Sequence, residues 1–279
     1  MEKKKYSRVY VEITNICNRS CSFCPGTARP KKQMSLDEFK YVADALIGIT
    51  EYIYFHVMGE PLTHPLLPDF IKYASSLGFK CAVTTNGTLL HKRADELISS
   101  GVYKVNISVH SFEGGEEESY FNYINQLCDF ADRASNEGVL TVLRLWNKGY
   151  DGGLNDKTLS ILKERLNGEW KWGSRGARIR HKLHLEYGDR FDWPDMEAQN
   201  YGKDVFCYGL RDHFGILSDG RVIPCCLDRE GDITLGNIFD TPVNEILSSL
   251  RATAILRGFD RRCAVEELCQ KCGYARRFG

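Results

Sequence analysis

Three cysteines near the start of this chain constrain its structure more than any other feature. They lie at positions 17, 21 and 24, with a phenylalanine at 23, directly after an apolar run at 9–13 that is typical of a strand. Three thiolates can bind three irons of a [4Fe–4S] cube and leave the fourth iron open. The spacing therefore predicts an iron–sulfur centre with a free coordination site, held by Cys17, Cys21 and Cys24.

Two other uses of these cysteines fit the sequence less well. A structural zinc site usually takes four ligands from two Cys-x-x-Cys pairs, whereas only three cysteines cluster here. Disulfide frameworks are typical of small secreted domains, whereas this chain has 279 residues and shows no signal-peptide pattern. We therefore expect a reducing, cytoplasmic setting, and the zinc alternative stays open.

The charge balance limits the class of partner. Lysine and arginine together number 37, as do aspartate and glutamate. A chain without net charge does not attract polymeric nucleic acid by long-range electrostatics, although this does not exclude a single nucleotide as substrate. No apolar run approaches the length of about 20 residues that a membrane-spanning helix needs. We expect neither polymeric nucleic acid nor a membrane as a partner.

Apolar β-branched segments alternate with amphipathic ones along the first two thirds of the chain. The strands that this pattern predicts are Arg8–Thr14, Tyr52–Val57, Lys80–Thr84, Lys104–Val109, Leu140–Leu145 and Lys182–Tyr187. The helices between them are Ser35–Ile47, Leu66–Leu77, Leu90–Ser99, Ser119–Asn136 and Asn155–Leu166. Strand–helix alternation predicts an α/β fold with a parallel sheet, and six units predict a partial, TIM-like (β/α)6 barrel.

Polar residues follow the predicted strands. The cysteines come after the first strand, Gly59-Glu60-Pro61 after the second, and Thr85-Asn86-Gly87 after the third. Ser108, Arg144 and Glu186 lie at the ends of the next three. In β/α barrels, the carboxyl ends of the strands carry the chemistry. We therefore expect these residues to converge at one mouth of the barrel.

The cysteine motif and these strand ends together resemble the radical S-adenosylmethionine (SAM) superfamily. The resemblance implies the partial barrel, a SAM-binding cluster, and an enzyme that reductively cleaves SAM to a 5′-deoxyadenosyl radical. Met58-Gly59-Glu60-Pro61 is similar to the family's Gly-Gly-Glu-Pro motif, with methionine in the first position. The resemblance implies SAM contacts from Phe23, Met58, Gly59, Glu60, Pro61, Asn86, Ser108 and Arg144, although a structural salt bridge stays open for Arg144. It also implies an external electron donor such as flavodoxin or ferredoxin.

The last third of the chain carries a second set of cysteines. Cys207 and Cys225 flank a predicted hairpin with a turn at Asp219-Gly220, a helix is predicted over Val243–Leu256, and Cys269 and Cys272 follow it. This arrangement resembles the SPASM or twitch extension of radical SAM proteins, which implies one auxiliary [4Fe–4S] cluster on these four thiols. A structural zinc on the same thiols stays open. We place the boundary between a radical SAM domain (1–187) and an auxiliary-cluster domain (188–279).

Four cysteines remain outside both predicted clusters. Cys81 and Cys128 fall in a predicted strand and helix, where a free cysteine commonly serves as a small apolar residue. Cys226 and Cys263 have no assigned role. A hydrogen-atom donor near the substrate is one alternative for either of them.

The substrate is less constrained than the cofactors. The stretch Trp170–Lys182 combines five basic residues with two tryptophans, which suits a phosphorylated nucleoside; a solvated basic loop is the alternative. With the first strand predicted near residue 8, we expect no N-terminal peptide-binding domain, which disfavours a ribosomal-peptide maturase.

Within the superfamily, the chain resembles the queuine lyases, which release the base queuine from queuosine 5′-phosphate. The resemblance rests on the segments 55–61 and 207–212. Dehydrogenation or epimerisation of a sugar or aminocyclitol alcohol is the alternative. The residues that we expect to steer catalysis are His56, Glu186, Tyr187, Arg190 and Asp228. His56 is the leading candidate because a histidine can exchange protons near neutral pH.

Overall fold

The computed structural model describes residues 6–113 and 116–278 as a mixed α/β protein with one large sheet. Its strands are β1 (Arg8–Val11), β2 (Tyr52–Phe55), β3 (Lys80–Thr85), β4 (Lys104–Ser108), β5 (Leu140–Lys148), β6 (Lys171–Gly173), β7 (Gly176–Arg180), β8 (Leu183–Asp189), β9 (His213–Ile216), β10 (Arg221–Ile223) and β11 (Gly236–Asn237). Their order in the sheet is β11-β10-β9-β1-β2-β3-β4-β5-β8-β7-β6. The seven central strands are parallel, and both edges are antiparallel.

The helices of the described residues are α1 (Leu36–Ala45), α2 (Leu67–Ser76), α3 (Leu90–Ser99), α4 (Glu117–Asn136), α5 (Leu154–Arg165), α6 (Val243–Leu247), α7 (Leu250–Asp260) and α8 (Glu267–Gln270). The first begins at a capping box, in which Ser35 and Glu38 exchange side-chain to backbone hydrogen bonds. None of these helices is long and apolar enough to cross a membrane.

The two faces of the central strands have different environments. Val9 and Val11 of β1 are buried in the hydrophobic core, whereas Arg8 and Tyr10 face a central cavity. Side chains from seven neighbouring strands, β9 through β1 to β8, line that cavity. The sheet therefore curves around it without closing, which confirms the predicted partial barrel.

The predicted strands and the first five helices are present, with small differences at their ends. The last predicted helix, Val243–Leu256, is wrong as one element because the chain breaks between α6 and α7. Ser249 accepts a hydrogen bond from the amide of Ala252 there and so caps a new helix. The predicted domain boundary at residue 188 falls inside β8 and stays a prediction.

The chain after β8 rejoins the same sheet. The predicted hairpin forms β9 and β10, with Gly220 in the left-handed region at its turn (φ +86°). β9 then pairs in parallel with β1, with Val9 opposite Phe214 and Val11 opposite Ile216. This pairing brings the second group of cysteines next to the barrel.

Candidate active site

The first cysteine motif lies in the loop after β1. Cys17 is exposed, Cys21 and Cys24 are partly exposed, and none of them forms a disulfide. The amide of Cys24 donates to the carbonyl of Cys21 (3.1 Å), which makes a tight turn. Burial raises the pKa of Cys17 and Cys21, and each of these thiols is close enough to Cys24 to interact with it electrostatically. Three soft thiol donors on one turn fit three irons of a cube.

Asn86 and Glu60 support this loop from neighbouring strand ends. Asn86 Nδ2 donates to Asn18 Oδ1 (2.9 Å) and lies 3.9 Å from Cys17 Sγ. The Glu60 carboxylate accepts from the amides of Asn86 (2.6 Å) and Leu62 (3.0 Å). Burial raises its pKa to about 7. Glu60 therefore fastens the loop after β2 to the loop after β3, beside the first cysteine.

Gly59 allows the loop after β2 to approach the cysteine loop. Its φ is +76°, and a Cβ there would lie 2.4 Å from the carbonyl oxygen of Thr14, so no other residue fits. The following amide, that of Glu60, donates to the carbonyl of Ile16 (2.9 Å), and Met58 and Pro61 are buried on either side. The motif 58–61 thus lies directly against the residues that precede Cys17.

Four thiols of the C-terminal part lie together. Cys207, Cys225, Cys269 and Cys272 all line the central cavity. Burial raises the pKa of Cys225, and the neighbouring Cys226 followed by the other three thiols raise it further. Buried thiols without counter-charges suit a metal centre, which replaces their protons. Among the described residues, no group of three or more side chains converges on a single metal ion. Thiols spread around a four-iron cube need not meet at one point.

The two leftover cysteines occupy different environments. Cys226 lines the cavity and lies beside the Tyr10 hydroxyl; burial raises the pKa of its thiol to about 11. Cys263 is absent from the cavity lining, and its amide donates to the carbonyl of Gly258 (2.8 Å) at the end of α7. Of these two, only Cys226 is therefore placed to meet a substrate.

The central cavity has a volume of about 570 Å³, and its lining includes Phe23 from the first cysteine loop and the C-terminal thiols. Ser108 and Arg144 line it as well. Arg144 Nε lies 3.5 Å from Glu186 Oε2, yet this buried nitrogen has no hydrogen-bond partner among the described residues. Arg144 therefore faces the cavity as the partner of Glu186 in an ion pair.

Four of the five predicted catalytic residues line the cavity: His56, Glu186, Arg190 and Asp228. Burial, together with the smaller effect of the Arg144 charge, lowers the pKa of His56 to about 4. Burial raises the pKa of Asp228 to about 6. Tyr187 is absent from the lining, because it lies on the opposite face of β8 from Glu186 and stacks against Trp172.

The basic stretch 170–182 lies away from the cavity, contrary to expectation. It forms the β6–β7 hairpin at the edge of the sheet, and none of its five basic residues is part of the lining. Lys171 pairs with Glu169, and Arg180 pairs with Asp132. The alternative of a solvated basic segment therefore describes it better.

Several cavity residues were missed by the sequence analysis. They are Arg8, Tyr10, Tyr54, Lys104, Phe191, His213 and Tyr274. Those on strands alternate with core residues, as Arg8 and Tyr10 do with Val9 and Val11. A period of two along an otherwise apolar strand is the signal that would have found them.

Comparison with known proteins agrees with this arrangement. A profile of the radical SAM superfamily matches residues 11–148, and a profile of an iron–sulfur cluster-binding domain, SPASM, matches residues 207–273. A probable GTP 3′,8-cyclase of Archaeoglobus fulgidus is 29% identical over 182 residues, which is 60% of this chain and 58% of that protein. A probable GTP 3′,8-cyclase of Methanocella arvoryzae is 27% identical over 88% of this chain and 89% of its own.

Among solved structures, BtrN in complex with AdoMet and 2-DOIA has a similar fold. The TM-score is 0.62 at 19% identity, over 97% of this chain and 94% of that one. The two domain profiles imply SAM and two [4Fe–4S] clusters as cofactors, as predicted from the cysteine patterns.

Proposed function

We propose that this chain, which belongs to the radical SAM superfamily and carries a SPASM domain, releases the base from a phosphorylated nucleoside. The substrate that we propose is queuosine 5′-phosphate, and the product is queuine. One observation carries the proposal: the central cavity is lined by aromatic rings together with cations. Rings suit a planar base, and cations suit a phosphate.

The cofactors would be held by the two groups of cysteines. Cys17, Cys21 and Cys24 would bind the SAM cluster, and Cys207, Cys225, Cys269 and Cys272 the auxiliary one. When bound, SAM and the reduced first cluster would supply a radical that can accept a hydrogen atom from the ribose of the substrate. An electron donor such as flavodoxin or ferredoxin would supply the reducing electron.

The residues of the chain orient the reactants. The Arg144 guanidinium and the Ser108 hydroxyl, which both line the cavity, would bind the carboxylate of SAM, and Phe23 lines the same cavity. His56 is uncharged at neutral pH because its pKa is lowered to about 4. A ring nitrogen of the neutral imidazole can therefore accept a hydrogen bond from a ribose hydroxyl and orient the substrate. Glu186 holds Arg144 in place from the next strand.

An anaerobic assay with queuosine 5′-phosphate tests the proposal. We expect free queuine, 5′-deoxyadenosine and methionine from the reduced enzyme. His56→Gln should lower the rate of queuine release by about tenfold, since the imidazole that orients the ribose hydroxyl is lost, while the SAM content stays unchanged. His91→Gln, at a position outside the cavity lining, is the matched control.

Two outcomes would overturn the lyase. One is SAM cleavage without queuine release. The other is a ketone or an inverted carbon formed from a sugar or aminocyclitol alcohol, which would replace the lyase with a dehydrogenase or an epimerase.

A further inference from the structure

Two partly buried cations in the central cavity have no ionic partner among the described residues, whereas Arg190, which also lines it, is exposed. Arg8 begins β1 and lines the cavity, and its Nε is buried without a hydrogen bond. Its guanidinium carbon lies 6.0 Å from the ring centre of Tyr10 and 5.6 Å from that of Tyr54. The Arg8 charge therefore lies beside two neutral phenol rings, and no carboxylate of the described residues lies within ion-pair distance of it.

Lys104 begins β4 and lines the same cavity. No carboxylate of the described chain lies within ion-pair distance of its ammonium group. Burial lowers the pKa of Lys104. The positive charges of Arg144 and Arg8 lower it further, whereas the carboxylate of Glu186 raises it. Three cations are therefore near neighbours in this part of the cavity.

The local charges do not balance. Glu186 compensates Arg144 at 3.5 Å, which leaves Arg8 and Lys104. Asp212 and Asp228 also line the cavity, but neither forms an ion pair with Arg8 or Lys104. The Asp228 carboxylate already accepts from the amides of Asp232 and Ile233 (2.9 and 3.0 Å). Two partly buried positive charges thus remain without a counter-charge, and an unpaired charge becomes more costly as it is withdrawn from water.

A phosphate monoester carries a charge of about −1.5 to −2 near neutral pH, which matches the two positive charges of Arg8 and Lys104. A carboxylate would neutralise only one of them. We propose that Arg8 and Lys104 form the binding site for the 5′-phosphate of the nucleotide substrate. This inference rests on the proposed function, since it names the anchor for that substrate in the same cavity.

The position of the pair fits such an anchor. Lys104 and Ser108 lie at opposite ends of β4, about 13 Å apart at the usual rise of a strand. A phosphate at Lys104 would leave the sugar and base to extend toward the cysteine loops. Trp146 lies on that route, and its buried Nε1 has no hydrogen-bond partner among the described residues. It offers a free donor to the substrate.

The test compares phosphorylated and unphosphorylated ligands on the anaerobic holoenzyme. Isothermal titration calorimetry would measure binding of queuosine 5′-phosphate and queuosine, with guanosine 5′-monophosphate and guanosine as a second pair. We expect the wild type to prefer each phosphorylated ligand. Arg8→Gln and Lys104→Gln should each reduce that preference by about tenfold or more, since each removes a charge-assisted hydrogen bond.

Two controls keep the result specific. Arg178→Gln removes an exposed arginine of β7, outside the cavity, and should leave the preference unchanged. Arg8→Lys keeps the charge and should recover part of it. Iron content equal to that of the wild type would show that each variant is folded.

The two proposals fail separately. An unchanged preference in both glutamine variants overturns the phosphate site, even if queuine is released. A loss of the preference for phosphorylated ligands in both variants supports the phosphate site. If the wild-type enzyme also cleaves SAM without releasing queuine, the proposed lyase activity is overturned while the phosphate site stands.

Discussion

The Glu12 carboxylate and the Arg29 guanidinium form a buried, two-bonded ion pair, with Nη1 and Nη2 at 2.8 and 2.7 Å from the two carboxylate oxygens. The same carboxylate accepts from the amide of Met58 (3.2 Å) and the hydroxyl of Ser218 (2.9 Å). Arg29 also donates to the carbonyl of Arg229 (2.7 Å). One ion pair thus joins the first strand, the proposed SAM motif and the C-terminal hairpin.

Removing the arginine of this pair should destabilise the protein strongly. Arg29→Met leaves a buried carboxylate without its counter-charge, which typically costs about 3–5 kcal/mol. Arg133→Met breaks an exposed pair with Glu137 and should cost under about 1 kcal/mol. Anaerobic denaturant unfolding of both variants measures the difference. Equal costs would show that the buried pair has no special role.

The iron content reports on the two proposed clusters. The reconstituted wild type should bind about eight irons, from two four-iron clusters. Simultaneous replacement of Cys17, Cys21 and Cys24 by alanine should leave about four, because the C-terminal thiols are independent of that loop. Zinc without iron in the anaerobically purified wild type would contradict the whole assignment.

Single alanine variants test the auxiliary ligand set. Replacement of Cys207, Cys225, Cys269 or Cys272 should abolish or destabilise the second cluster, because each thiol faces the same cavity. Cys263→Ala should retain about eight irons, and so should Cys226→Ala, whose thiol lies beside Tyr10. Loss of the cluster in Cys226→Ala, with retention in one of the four, would change the ligand assignment.

SAM affinity should depend on Glu60 and Arg144 while iron content does not. Glu60→Ala removes the acceptor of two backbone amides and frees the loop after β2. Arg144→Ala removes a cavity cation. Each should weaken SAM binding by about tenfold or more, as measured by equilibrium dialysis. Wild-type affinity in both variants would rule out both roles, and Arg178→Ala is the control for loss of a cation.

A buried histidine should make stability depend on pH. Burial and the nearby Arg8 lower the pKa of His213 from 6.5 to about 4. Between these values the unfolded chain binds a proton that the folded chain does not, so stability falls as the pH falls. At pH 5 the loss is about 2 kcal/mol. His213→Gln should lose less thermal stability than wild type between pH 7 and 5, and identical losses would refute this.

The sequence predicted the strands of the parallel part of the sheet and the cysteine motifs, but not β6, β7 or β11. Of its five catalytic candidates, four line the cavity. Those features depend on local patterns: strand periodicity, cysteine spacing and the convergence of strand ends in a parallel sheet. Glu186 and Tyr187 show the limit of this reasoning. Both lie near the end of β8, but successive side chains of a strand face opposite sides of the sheet, so only Glu186 lies in the cavity. Which of the two faces inward cannot be assigned without knowing how β8 pairs with its neighbours.

The remaining errors depend on long-range contacts. The basic segment at 170–182 looked like a substrate loop because its charge is visible in the sequence, whereas its position at the edge of the sheet is not. Conversely, Arg8 and Lys104 are isolated basic residues at strand starts and give no motif. Their importance depends on charges brought together from β1, β4, β5 and β8, which only the folded sheet can place.

The pairing of β1 with β9 has a consequence for how the chain is made. Glu12, just after β1, meets Ser218, which lies 206 residues later in the sequence. While the ribosome is still making the middle of the protein, one side of β1 has no neighbour, and an unpaired strand edge invites association with other chains. The nascent chain is therefore most vulnerable to aggregation until its last quarter emerges, and premature termination before β9 should yield insoluble product.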